Sequence, residues 1–175
     1  YYENTGKIKP AADSLWYPYL DGCYDEEKIN ELITYCRVAI WRGIYRKAFL
    51  EKNNIRFYTD IKRFDDLPFK VETFACAKSV VMIPEYLYYY RLEREGQDVA
   101  ADDERLYVHF DIFEHLNRSI GSMKDQRLID NLQMCKIQTH RYALSKIKEE
   151  YRGEYLRRAR EDLNSLCDVG RTYKI

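Results

Sequence analysis

From residue 102 onward the apolar residues keep the spacing of amphipathic helices with hardly a break. Leu106, Phe110, Phe113, Leu116 and Ile120 form one stripe that stops at Gly121-Ser122. Leu128, Leu132, Cys135 and Ile147 mark a longer helix, and Leu156, Ala159, Leu163 and Leu166 a third. The first hundred residues are less regular. Residues 1–24, with Pro10, Pro18, Gly6 and Gly22, read as loop with short extended pieces. Asp25 is expected to cap a helix whose apolar face is Ile29, Leu32, Ile33, Cys36, Ala39 and Ile40. A short helix over about Tyr45–Lys52 should stop at Asn53-Asn54, and Ile55-Arg56-Phe57 reads as extended. Asp66-Leu67-Pro68 opens a helix that runs to about Lys78, proline being acceptable in a first turn. Val80–Ile83 and Tyr86–Arg91, split by Pro84-Glu85, predict two strands or one bent strand, followed by a loop over 96–101. The expected organisation is a mixed α/β, mainly helical portion over residues 1–101 and a helical extension over 102–175.

The two adjacent carboxylates Asp65 and Asp66 stand just before that proline and an apolar run. An aspartate in this place is ordinarily a helix N-cap, and a carboxylate at a helix start is also placed to take a proton at the mouth of a site. Composition narrows what such a site serves. With 29 basic and 29 acidic residues the net charge is zero, so no global field favours nucleic acid or an anionic membrane. Seventeen tyrosines suit interfaces and sugar-lined clefts as well as a core. The five cysteines, Cys23, Cys36, Cys76, Cys135 and Cys167, are odd in number and widely spaced, which reads as reduced thiols of a cytoplasmic protein. No apolar run approaches the roughly 18 residues of a membrane span, and association with a membrane face stays open. Tyr1 in place of an initiator Met suggests a fragment of a longer polypeptide.

Several chemistries lack their residues. The seven glycines are isolated, so neither a phosphate loop nor a dinucleotide fingerprint is present. No serine sits in a strained elbow for a Ser/His/Asp triad. His109, Asp111 and His115 could be drawn as metal ligands but read as ordinary helical positions without a further ligand nearby, so no metal site is assigned. Between Lys146 and Arg160 the basic residues interleave with tyrosines, but Glu149, Glu150, Glu154 and Glu161 cancel the charge and point to an ion-paired helix surface.

Four blocks in order carry the functional signal: Trp41-Arg42-Gly43-Ile44-Tyr45-Arg46-Lys47-Ala48-Phe49-Leu50, Asn53-Asn54-Ile55-Arg56-Phe57, Asp65-Asp66-Leu67-Pro68-Phe69, and Ile83-Pro84-Glu85-Tyr86-Leu87-Tyr88-Tyr89-Tyr90-Arg91. They resemble the second half of bacterial family 2 glycosyltransferases, over about residues 36–98. The resemblance implies the acceptor-side half of an A-type glycosyltransferase fold, with a few strands and then the helical tail. It implies transfer from a nucleotide-sugar to a hydroxyl of a glycan or lipid-linked acceptor, with inversion, in surface-polysaccharide synthesis. Asp66 falls at the position of the catalytic base and Asp65 at the position of the family's glutamate, one methylene shorter. Trp41 and Tyr45 take acceptor-side positions, with Tyr45 and Arg46 supporting the helix beneath; an anchor for the preceding helix is the other reading of Trp41. Arg91 and Arg94 precede the loop that in the family folds over the donor, where a guanidinium neutralises diphosphate charge. Gly96-Gln97 stands where the family often has Gly-Ser.

The family's Asp-x-Asp motif, which holds a divalent metal (Mg or Mn) against the donor in the intact enzyme, does not occur in this sequence. Asp102-Asp103-Glu104 is the nearest imitation and reads as a helix start. The expectation is therefore a chain that lacks the donor-binding half, binds no metal alone and is inactive alone. A non-catalytic interaction module that uses a tyrosine-rich surface is the alternative, and self-association is left open.

Overall fold

The computed structural model of the chain describes residues 22–26, 28–36, 38–91, 100–121, 123 and 125–164. Its elements are β1 (Gly22–Asp25), α1 (Glu31–Tyr35), a 3-10 turn (Ile40–Arg42), α2 (Lys47–Lys52), α3 (Asp66–Cys76), β2 (Ser79–Met82), a 3-10 turn (Glu104–Tyr107), α4 (Val108–Ile120), α5 (Gln126–Lys146) and α6 (Glu149–Asn164). The two strands form one antiparallel ladder with Gly22 opposite Met82 and Asp25 opposite Ser79.

Three local expectations are corrected. Asp25 ends a strand rather than capping a helix, and the helix that follows is only Glu31–Tyr35, because the chain turns extended at Cys36 (ψ 131°). Its apolar face is real, with Ile29, Leu32 and Ile33 buried. The Tyr86–Arg91 strand does not form: residues 83–90 are in no ladder among the described residues, and Arg91 makes an isolated bridge. In α6 Ala159 of the expected stripe is buried, but Tyr155 takes the buried place beside it and Leu156 is left exposed. The Tyr155 hydroxyl decides this placement, because it finds hydrogen-bond partners on α5 that a leucine could not use.

The apolar residues gather in two clusters. The first joins Ile33 of α1, Ile61, Leu67 and Val71 of α3 with Ile112, Phe113, Leu116 and Ile120 of α4 and Leu128, Leu132 and Cys135 of α5. It therefore runs across the composition boundary at residue 101. The second joins Ala101 and Leu106 with Ala143, Ile147, Tyr155 and Ala159. Asp125 accepts hydrogen bonds from the main chain of Arg127 (2.9 Å) and from Asn30 (2.9 Å), so a single carboxylate caps α5 and pins the residue preceding α1 to it.

Phe64 packs against both clusters, and its φ of +55° is the left-handed conformation that aromatic residues rarely adopt. The ring is partly buried and gains part of the roughly 1.5–3 kcal/mol of full burial, of the same order as the backbone cost of about 1–2 kcal/mol. Two polar side chains of α6 reach into the same region. Asp162 meets Lys136 at 2.5 Å and His140 Nε2 at 2.9 Å, while His140 Nδ1 lies 2.9 Å and His109 Nδ1 3.4 Å from the Tyr155 hydroxyl. Burial alone would raise the Asp162 carboxyl, but hydrogen bonds from His140 and Lys136 hold it below its ordinary range. Burial, with His140 close by, pushes His109 down to about 3.

Two outcomes are expected. Phe64→Gly should be more stable than Phe64→Ala by up to about 1 kcal/mol, because only glycine relieves the left-handed backbone once the ring is gone; urea melts of the two variants settle the order. For His109, protons bind the unfolded chain from about pH 6.5 downward and the folded chain only near pH 3. Stability is therefore full above about pH 6.5 and falls as the pH drops toward 3, by at most about 1.4 kcal/mol per unit. In His109→Gln the slope of stability against pH between 6 and 4 should flatten, as read by denaturant titration at several pH values.

Candidate functional site

The carboxylate pair sits at the start of α3. Asp65 occupies the cap position with helical dihedrals (φ −64°, ψ −18°) and its side chain makes no capping hydrogen bond, so the reading of Asp65 as a side-chain cap is corrected. Asp66 is the first helical residue and half-buried, where the positive end of the helix dipole favours a carboxylate in its ionised form. Pro68 follows within the first turn, as its missing N–H permits.

Tyr45 meets this helix from the side. Its ring packs edge-on to Phe69 with centroids 5.1 Å apart, and Phe57 stacks flat on Phe69 at 4.5 Å. Burial first, then the negative charge of Asp66, raises the Tyr45 phenol above its ordinary pKa, which places the two side chains within electrostatic reach. The Ile40–Arg42 turn carrying Trp41 packs against α3 as well. Trp41 stacks with Tyr88 (4.6 Å) and Tyr90 (4.9 Å), alternate residues of the 83–90 stretch, and the Arg42 guanidinium lies 5.1 Å from its ring. Arg91 follows Tyr90 directly and is exposed.

Of the residues expected at a site, Asp65 and Asp66 start α3 and Tyr45 packs on Phe69 of the same helix, while the turn carrying Trp41 packs against α3 and Trp41 itself stacks on Tyr88 and Tyr90, next to Arg91 in the chain. Arg94 and the Gly96-Gln97 loop lie outside the described residues. Three contributors were not singled out from sequence: Phe57, Gly43 and the Tyr88/Tyr90 pair. The alternation of Tyr88 and Tyr90 was the available signal for the last.

The histidines considered as ligands do not converge. His109 turns into the core toward Tyr155, His115 pairs with Asp60 at 2.9 Å, and Asp111 is exposed. Among the described residues no group of three or more His, Cys, Asp or Glu side chains is placed to hold a metal ion. Likewise, no helix among them is long and apolar enough to cross a membrane. On α6, Arg157 pairs with both Glu154 and Glu161 (2.7 and 2.6 Å), in keeping with an ion-paired surface.

A separate cleft of about 320 Å³ opens beside the far end of α3, lined by Arg56, Tyr58, Glu72, Cys76, Ser119 and Met123 among others. Tyr58 donates to Glu72, and burial together with that bond pushes its phenol up to about 12. None of the site residues named above lines it.

Comparison with known proteins adds one relationship. Over 52 residues, 30% of this chain, the sequence is 40% identical to the uncharacterized glycosyltransferase EpsJ of Bacillus subtilis (strain 168). The related protein is a glycosyltransferase by name. The shared stretch spans 15% of the length of EpsJ, so the relationship concerns a part of that protein. No family model matches the chain, and no solved structure does.

Gly43 tests the packing around Tyr45. A Cβ added there would stand 2.6 Å from the Tyr45 hydroxyl oxygen, while the backbone itself (φ −123°) accepts any residue. Gly43→Ala should therefore displace the Tyr45 ring from Phe69 at a cost below about 2 kcal/mol. Ring-to-ring nuclear Overhauser contacts between Tyr45 and Phe69 should weaken or vanish; their persistence at full strength would contradict the packing described.

Proposed function

We propose that this chain is the acceptor-side part of a glycosyltransferase of the family 2 type, which moves a sugar from a nucleotide-sugar to a hydroxyl of a glycan or lipid-linked acceptor. The observation that carries the reading is that Tyr45 packs on Phe69, three residues after Asp66, while the turn carrying Trp41 packs against the same helix. The partial likeness to a glycosyltransferase supports it. In this reading Asp66 takes the proton of the acceptor hydroxyl as its oxygen bonds to the anomeric carbon, and the nucleoside diphosphate departs from the opposite face with the bonding pair, so the centre inverts. Asp65 bonds the acceptor beside it, Trp41 and Tyr45 wall the acceptor, and Arg91 with Arg94 faces the diphosphate. The donor and its divalent cation belong to a part of the enzyme outside this sequence, and the work is done at the cytoplasmic face of the membrane in surface-polysaccharide synthesis.

A second reading has its own observation. Val81, Ile83, Tyr86, Leu87, Tyr88 and Tyr89 are all exposed, by 54–69%. An apolar and aromatic strip of this kind marks a protein contact, either with a partner of a non-catalytic module or with another copy of the chain. Sedimentation of the purified chain separates the cases. Concentration-dependent association favours a covered strip, and a clean monomer an autonomous module.

The base assignment is tested in the full-length gene product. With nucleotide-sugars and oligosaccharide acceptors, Asp66→Asn should lower turnover by at least about 10²-fold while leaving nucleotide-sugar binding within a factor of about two. Release of nucleoside diphosphate is the measurement, and turnover retained in Asp66→Asn removes Asp66 from the chemistry.

A further inference from the structure

We propose that Lys70 is the positioning residue of this site: its ammonium fastens the segment that carries Trp41 and Tyr45 to the helix that carries Asp66. The inference rests on the reading of Asp66 as the base, and it assigns a role to the one charged residue in the run Leu67–Val71.

Lys70 lies four residues after Asp66 on α3, on the same side of the helix. It is only 7% exposed. Its Nζ donates to the carbonyl of Ile33 at 2.9 Å and to that of Cys36, the residue at which α1 ends. Carbonyls in the last turn of a helix have no partner within it, and the helix dipole makes that end attractive to a cation. The chain then leaves Cys36, forms the Trp41 turn against α3, and returns at Tyr45 onto Phe69, the residue next to Lys70. Cys36 and Tyr45, which flank the Trp41 turn, are thus fastened to two consecutive residues of α3.

An apolar residue of similar length would fill the same volume without the cost of burying an ammonium, which burial here drives toward its neutral form. What methionine could not do is hold two carbonyls and so fix where α1 ends relative to Asp66. Displacements on the order of 1 Å between reacting groups cost as much as 10²-fold in rate. Lys70 directs its ammonium to the end of α1, one helical turn after Asp66, so its effect passes through the groups it places.

The test compares Lys70→Met, Lys70→Gln and Asp66→Asn in the full-length gene product, using amide hydrogen exchange and transfer kinetics. Lys70→Met should raise exchange in residues 38–46 at least about tenfold with the amides of 71–74 nearly unchanged, and lower kcat at least about tenfold while the donor KM moves less than about twofold. Lys70→Gln, which keeps two donor hydrogens, should recover part of both, and it carries the test where Lys70→Met does not fold. A uniform rise in exchange across α3, or normal kcat in Lys70→Met while Asp66→Asn is inactive, overturns the proposal. Turnover retained in Asp66→Asn instead removes the base reading, and the exchange pattern in 38–46 then decides alone whether Lys70 is the clip.

Discussion

The arrangement depends on Phe64, a residue whose backbone and side chain pull in opposite directions. Its φ of +55° is unfavourable for an aromatic residue, yet its ring packs on the cluster built by α3, α4 and α5 and on the cluster built by α5 and α6. The ring also lies 4.8 Å from that of His109. A left-handed residue reverses the chain abruptly, and here the reversal is immediately followed by Asp65 and Asp66. The strain that aims the carboxylates is thereby supported from outside the segment, by helices more than forty residues later in the chain.

Those later helices are themselves held by polar groups as much as by leucines. α6 is a polar helix whose buried side is short, Tyr155 and Ala159, and its docking is completed by Asp162 between Lys136 and His140. The Lys136 side chain is 1% exposed, and its ammonium is directed at both the carboxylate and the main-chain carbonyl of Asp162. Hydrophobic area tolerates sliding, whereas an ion pair joined to a His–Tyr hydrogen bond admits one register of α6 on α5. The register matters upstream, because Tyr155 belongs to the cluster on which Phe64 rests.

Much of this was legible in sequence where one physical signal dominated. The three C-terminal helices follow from apolar stripes with a period near 3.6, and the end of α2 from Asn53-Asn54, with Asn54 at φ +52°. The misreadings occur where two signals compete. Ile29, Leu32 and Ile33 have helical spacing and are buried, but the pairing of β1 with β2 claims Asp25 and shortens the helix before them. Tyr86–Arg91 has strand composition, but the tyrosines at 88 and 90 spend their faces on Trp41 instead of on a neighbouring strand. In α6 the leucines suggested the buried face, and a tyrosine hydroxyl with a partner on α5 outweighed them. At the site, the Asp65-Asp66 pair was visible as two carboxylates before a proline, while Lys70 was hidden because a lysine in an amphipathic helix is ordinarily a solvent residue.

In the proposed reading, three positions within the first five residues of α3 divide the work of such a site. Asp66, at the first turn, has the helix dipole to favour its anion; Phe69, one turn further, gives Tyr45 and Phe57 a common aromatic support; Lys70 ties in the end of α1. Because a helix advances only about 1.5 Å per residue, these three functions lie within about 6 Å along one rigid axis. Groups that belong to three separate chain segments are therefore referred to one element, and relative error between them is small. A loop could present the same residues but not the same constancy of spacing.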